Sequence, residues 1–189
     1  MKRTPAGRIR IIAGALRGSR IDVPDRPGLR PTADRVRETL FNWLSPYIAG
    51  ARVLDLFAGT GALGIEALSR GAASVDFVES ERELAQLLRA NLERLKQTAD
   101  VHALSAGQFL RMPRAPYALV FLDPPFAGGY WSEVTEHLES AGFLTDPALV
   151  YVESPRGDVP EVPAHWQLHR ELLAGEVRAA LYRRVAPVG

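Results

Sequence analysis

Two short stretches of this chain hold residue types that can do chemistry. The first is Asp123-Pro124-Pro125-Phe126. It follows an almost wholly apolar run, Tyr117 to Leu122, which reads as a buried, central strand. Two prolines after such a strand end its ladder and fix a rigid bend. Pro124 has no N–H, so the bend presents carbonyls, and the Asp123 carboxylate adds further acceptors. Paired acceptors suit a planar amino group bearing two N–H bonds. Phe126 supplies a flat face on which a base can stack. The second stretch is Asp55-Leu56-Phe57-Ala58-Gly59-Thr60-Gly61, with Gly64 beyond it. Glycines here let the backbone turn sharply and approach a ligand closely. A helix starting there points its free N–H groups back at the strand end.

The ligand of this cradle is open on the glycines alone. Gly59-Thr60-Gly61-Ala62-Leu63-Gly64 is a literal G-x-G-x-x-G, and Glu79 sits twenty residues past Gly59. That is the dinucleotide fingerprint with its ribose-binding acid. Two features pull the other way. Asp55, at the end of the strand, would repel a pyrophosphate and suits a ligand with a positive group. No second domain follows to hold a hydride acceptor.

The elements that must position these residues alternate from residue 52 onward. Strands are expected at 53–57, 74–79, 101–104, 117–122 and 149–152. Helices are expected at about 62–70, after a Ser80–Glu83 capping box, and from Trp131 to Gly142. Residues 167–173 and 177–185 read as a closing antiparallel hairpin turned at Ala174-Gly175. The fold class is α/β: a doubly wound, mostly parallel sheet with helices on both faces. Ahead of it, residues 8–13 and 19–23 form an expected hairpin with arginines on one side. Pro24 to Pro31 is a loop, and Thr32 or Asp34 caps a helix to about Leu44 with Val36, Leu40, Trp43 and Leu44 on one face. Residues 1–50 are therefore read as an N-terminal extension, and 51–189 as the main domain.

Composition narrows the classes. The chain has 189 residues, 47% hydrophobic and 24% charged, as in a soluble globular protein. It has no cysteine, which excludes disulfides, thiolate metal sites and cysteine nucleophiles. The apolar run Ile11–Leu16 is too short for a signal core or a membrane span. Pro5, Gly7 and Gly14 spoil an organelle-targeting helix, so a cytoplasmic protein is expected, with no membrane partner. The net charge of +1 hides an asymmetry: residues 1–37 hold ten Lys/Arg against three acids. A basic arm on a mildly acidic body suits phosphates, although a solvated basic face without a partner is as good a reading of charge alone. His165 and His169 have a metal-like spacing without a third ligand, and His102 and His137 fit no constellation, so no metal is expected.

With these residues in view, Asp55 to Gly61 followed by Glu79 resembles motifs I and II of the class I S-adenosylmethionine-dependent methyltransferases. The resemblance implies that Gly59, Thr60 and Gly61 meet the cofactor's methionine part. It also implies that Asp55 acts near the ammonium, directly or through water, and that Glu79 takes the ribose. Asp123-Pro124-Pro125-Phe126 resembles their motif IV, (Asp/Asn)-Pro-Pro-aromatic, found where an amino group is methylated. This implies catalytic roles for Asp123, Pro124 and Phe126.

Arg10-Ile11-Ile12-Ala13-Gly14, Arg17-Gly18 and Leu29-Arg30-Pro31-Thr32-Ala33-Asp34-Arg35-Val36-Arg37-Glu38 resemble the RsmD family of bacterial small-subunit ribosomal RNA guanine-N2 methyltransferases. The similarity runs on to about Arg184. It implies methyl transfer to N2 of one guanine in 16S ribosomal RNA, within an assembling small subunit, by a monomer. Arg8, Arg10, Arg17, Arg20, Arg30 and Arg35 would face RNA, with the segment from Arg30 to Arg37 also covering the cofactor. The chain departs from the family where Asn or Asp near the adenine is replaced by Ser105, with the Ala106 N–H as a second contact. The alternatives are a DNA adenine or cytosine amino methyltransferase, which usually needs a target-recognition domain, and a non-catalytic ribosome-assembly factor, which would not need an intact Asp123 motif.

Overall fold

The computed structural model describes residues 7–24, 33–125 and 129–185. Arg30, Thr32, Phe126 and most of the Pro24–Pro31 loop lie outside the described residues. The chain opens with an antiparallel pair, β1 (Gly7–Arg10) and β2 (Arg20–Val23), followed by α1 (Asp34–Leu44). Alternation then begins with β3 (Arg52–Asp55), α2 (Ala62–Ser69), β4 (Ser74–Val78), α3 (Arg82–Arg94) and β5 (Asp100–His102). It continues with α4 (Ala106–Leu110), β6 (Tyr117–Leu122), α5 (Trp131–Ser140) and β7 (Leu144–Pro155). A closing pair, β8 (Trp166–Ala174) and β9 (Val177–Arg184), completes a seven-stranded sheet of order β5-β4-β3-β6-β7-β9-β8. No described helix is long and apolar enough to cross a membrane.

Strands β3 to β7 run parallel, and β9 inserts antiparallel between β7 and β8. The chain steps outward from β3 to β5, then returns to lay β6 against the other side of β3. That reversal leaves a crevice at the carboxyl ends of β3 and β6, where doubly wound sheets bind ligands. Alternating side chains build a core on each face. Val53, Phe77, Leu119, Phe121, Tyr151 and Leu181 face α1, α2, α3 and the β1–β2 hairpin. Leu54, Val78, Val120, Leu122, Val152 and Tyr182 face α4 and α5.

Several boundaries moved for identifiable reasons. Strand β7 is far longer than residues 149–152, because it pairs with β6 on one side and β9 along its other edge. The closing turn sits at Gly175-Glu176, one residue later than expected, with Gly175 at φ 56°. Helix α1 is capped at Ala33 without a side-chain bond. Asp34 lies inside the helix and pairs with Arg37 at 2.9 Å, so it is not the cap. Phe41 is fully buried beside Val36, Leu40 and Leu44, and Trp43 packs half-buried against the same cluster. Helix α3 begins after Glu81 rather than at Ser80, and the Glu79 carboxylate binds the Glu81 N–H ahead of it. A capping box does form elsewhere, between Ser105 and Gln108 at the start of α4.

The basic hairpin is fastened to the body. Ile9, Ile11, Ile21 and Val23 join the apolar cluster of α1 and α2. The buried Glu66 carboxylate accepts the Ile12 and Ala13 N–H groups at 2.9 and 3.0 Å. Asn91 accepts the Asp22 N–H and donates to the Asp22 carbonyl. At Gly14 (φ 86°) a Cβ would lie 1.9 Å from the Ser69 carbonyl oxygen, so the connection between the strands runs against α2.

Gly64 makes a similar demand in the first turn of α2. A Cβ there would meet the buried Phe77 ring at 2.2 Å. Gly64→Ala is therefore expected to destabilise by about 1–3 kcal/mol through overpacking. Gly107→Ala in α4 meets open space and is expected to gain about 0.4–1 kcal/mol. Denaturant titrations of the two variants check the contrast.

Candidate active site

The glycine turn is built from backbone amides held by carboxylates. At the end of β3, Asp55 is 2% exposed, and its Oδ2 accepts the Gly64 N–H at 3.0 Å. At the end of β4, the Glu79 carboxylate accepts the Gly59 N–H and the Glu81 N–H, each at 2.8 Å. One acid thus ties the turn to the start of α2, and the other ties it to the approach of α3. Gly59 and Gly61 both take left-handed conformations, with φ of 53° and 80°. A Cβ on Gly61 would lie 2.3 Å from a Leu88 methyl group. Thr60 between them is buried. Burial pushes the Asp55 carboxyl up to about 7, against the Gly64 hydrogen bond and helped by the charge of Glu79. A carboxyl in this state gains from a positive ligand group.

Asp123 follows β6 directly, half-buried, with Pro124 buried and Pro125 exposed. The register Asp55↔Phe121 brings the end of β6 beside the end of β3, so the two motifs flank the crevice. On the other side of β6, Phe121 pairs with Tyr151 and Leu122 with Val152. The buried Tyr151 hydroxyl donates to Glu153 at 2.9 Å. Burial raises this phenol well above its ordinary range, with the charges of Glu153 and then Asp123 adding to the rise. Glu153 was missed in the sequence as a candidate; an acid inside an apolar strand, two residues after a tyrosine, is the signal that marks it.

The remaining candidates divide. Ser105 is committed to its cap: its Oγ accepts the Gln108 N–H at 3.2 Å while its own N–H donates to Gln108. Ala106 is the first residue of α4. Arg8, Arg10, Arg17, Arg20 and Arg35 are exposed. Arg8 pairs with Asp22 at 3.3 Å, whereas Arg10 stands directly opposite Arg20 in the ladder. Like charges across a strand pair repel, and an anion between them would relieve the repulsion. Arg37 corrects the expectation that the segment from Arg30 to Arg37 faces RNA throughout. It is fully buried, donates to the Arg10 carbonyl and Asp34, and leaves Nε and Nη1 without a partner. Burial lowers its pKa, against the charges of Asp34 and Glu66.

His102 does belong to a constellation, contrary to the sequence reading. With Asp76 and Asp100 it places ligand atoms within 4.8 Å of one another. Both Asp76 oxygens are already engaged, one by His102 at 2.9 Å and the other by Arg52 and Tyr117 at 2.9 and 2.7 Å. The group is a hydrogen-bonded ion network on strands β3 to β6. His165 meets Glu139 at 3.0 Å and His169 sits edge-on to Tyr47, so these two histidines do not converge.

The buried Asp55 has a pH consequence. The folded state keeps its proton up to about pH 7, while the unfolded chain releases it near 3.8. The native state binds more protons in that window, so this group lowers stability as pH rises through it. Asp55→Asn keeps an oxygen for Gly64 and is expected to flatten that slope, read as denaturation midpoints from pH 4 to 8.

Comparison with known proteins agrees with this geometry. A family model described as Conserved hypothetical protein 95 matches residues 9–183. Ribosomal RNA small subunit methyltransferase D of Escherichia coli K12 is 52% identical over 96% of this chain and 92% of its own. The protein of the same name from Haemophilus influenzae is 43% identical over 94% of each chain. The solved structure of yhhF from Escherichia coli, provisionally assigned there as a methyltransferase, superposes with a TM-score of 0.89 at 50% identity, covering 96% of this chain and all of that one. More distant methyltransferases share the fold, including one from Streptococcus mutans with a TM-score of 0.72 at 15% identity. The chain belongs to the family that this model describes, the RsmD family.

Proposed function

We propose that this protein transfers a methyl group from S-adenosylmethionine to the exocyclic N2 of a single guanine in 16S ribosomal RNA, with the assembling small subunit as substrate. The observation that carries the reading is the placement of Asp123-Pro124 at the end of β6, beside the glycine turn at the end of β3. The names of the relatives at 52% and 43% identity support the RNA class and the subunit.

The residues present fit this cofactor. Gly59, Thr60 and Gly61 offer a close-approach backbone, and the raised Asp55 carboxyl suits its ammonium group. Glu79 at the end of β4 would take the ribose hydroxyls, using acceptor capacity that it shares with Gly59 and Glu81. The Ala106 N–H would meet the adenine. Ser105, with its hydroxyl accepting from Gln108, retains one O–H to donate. When bound, the cofactor supplies an already activated methyl on its sulfonium.

Asp123 and the Pro124 carbonyl would accept the two hydrogens of the guanine amino group. That pairing pyramidalises a nitrogen whose lone pair otherwise belongs to the ring and aims it at the methyl. Phe126 would stack on the base. Alignment of this kind is worth up to ~7–11 kcal/mol. The nitrogen becomes acidic only after methylation, so Asp123 need accept a proton late or pass it to water.

The test is a methyl-transfer assay comparing protein-free 16S RNA with small-subunit particles, with the modified nucleotide mapped. Transfer to particles at one guanine N2 is expected. Transfer to another atom, or none to either substrate, overturns the reading. Asp123→Ala is expected to lower kcat by about 10²–10³, the scale for losing one preorganised hydrogen-bonding group. Asp123→Asn keeps an acceptor and is expected to stay within about tenfold of wild type.

The exposed arginines make a separate claim. Arg10→Glu with Arg17→Glu is expected to weaken particle binding and to reduce its salt slope by about one unit or more. Filter binding across a salt series reads both.

A further inference from the structure

The geometry points to Glu153 as the residue that selects guanine, by accepting the base's N1–H beside the amino group held at Asp123. This rests on the guanine-N2 reading and deepens it. Register is the first support. Phe121 pairs with Tyr151 and Leu122 with Val152, the last pair of this ladder, and both strands run parallel, so one further step in the same register would bring Asp123 alongside Glu153. Neighbouring strands lie about 4.8 Å apart, which is a spacing for two carboxylates to address adjacent donors on one base edge. Face is the second support. Phe121 and Tyr151 point into the same core cluster, and Glu153, two residues past Tyr151, shares its face.

The third support is how firmly Glu153 is held. It is 6% exposed, its carbonyl accepts the Trp131 indole N–H at 3.1 Å, and its main chain pairs with Ala179 of β9. Tyr151 donates its O–H in a hydrogen bond to the carboxylate, and burial keeps that phenol protonated, and so a donor, throughout the neutral range. Burying a carboxylate is costly, and a tyrosine held in this way orients the group as well as satisfying it.

Guanine presents N1–H next to its 2-amino group, which are adjacent donors matching adjacent carboxylates. A base with an unprotonated N1 would turn a lone pair toward Glu153 and be repelled. Sites built to hydrogen-bond a donor reject analogues that lack it far more strongly than shape alone allows. Tyr151 is the positioning residue of this arrangement, acting through Glu153.

The experiment uses small-subunit particles reconstituted on 16S RNA ligated to carry either guanine or 2-aminopurine at the modified position. Both bases carry the 2-amino group, but 2-aminopurine has no N1–H. Wild type is expected to favour guanine by at least ~100-fold in kcat/KM. Glu153→Gln, whose amide can turn an N–H toward N1, is expected to lose guanine activity and to narrow the ratio to about tenfold or less. Tyr151→Phe keeps the ring and is expected to narrow the ratio in the same direction. Calorimetric S-adenosylmethionine binding by each variant confirms an intact cradle. Both ratios unchanged from wild type, or a wild type that accepts the two bases equally, overturns the inference and leaves the proposed function standing. A wild type that transfers nothing to the guanine particle overturns both.

Discussion

Carboxylates that hold backbone amides organise the ligand end of this protein. A sharp glycine turn exposes N–H groups that no strand or helix satisfies, and a buried unpaired amide costs as much as a lost hydrogen bond. Glu79 reaches across from the neighbouring strand to the Gly59 N–H, and Asp55 takes the Gly64 N–H from beneath. The turn, two strand ends and two helix starts therefore have one relative position. The left-handed Gly59 and Gly61 and the tight contact of Gly64 with Phe77 are consequences of that close approach. The arrangement also gives the acids two tasks, since the groups that shape the cradle are those proposed to meet the ligand.

The same device anchors the basic hairpin. An isolated two-stranded hairpin is marginal in water. Here side chains of the body bind its backbone from several directions: Glu66 at Ile12 and Ala13, Asn91 at Asp22, Arg94 at the Arg20 carbonyl, and Arg37 at the Arg10 carbonyl. The apolar side chains Ile9, Ile11, Ile21 and Val23 turn inward. What remains outside is a row of arginines on a rigid support. If this face meets RNA, as proposed, little of its backbone would have to be ordered on binding.

The amino ends of the strands and the far side of the sheet are closed by ion networks. Asp76 gathers Arg52, Tyr117 and His102. Glu139 gathers Arg184, the Trp166 indole and His165. Burial opposes its ionisation, but the hydrogen bonds from Arg184, Trp166 and His165 prevail and hold its carboxyl down at about 2. These groups are engaged with one another. At the carboxyl ends, Asp55 and Asp123 lie on the two strands that flank the crevice beside the turn.

Much of this could be read without coordinates. The sequence by itself determined the strand and helix alternation, because apolar periodicity and glycine breaks are local signals. It also located the glycine turn and the Asp-Pro-Pro bend, because their chemistry is carried by consecutive residues. Tertiary structure decided the rest. Ser80 does not cap α3, which starts after Glu81, whose N–H is bound by the Glu79 carboxylate. Arg37 is core rather than surface, since the hairpin carbonyl it binds is 27 residues away in sequence. Asp76 and His102 become partners only when β4 lies against β5. Above all, Glu153 is one acid in a strand by sequence, and only the β6–β7 register, with Leu122 opposite Val152, brings its strand beside the end of β6. Local order follows from spacing along the chain, but which charges share a site depends on strand order and register, and those are settled by packing between segments distant in sequence.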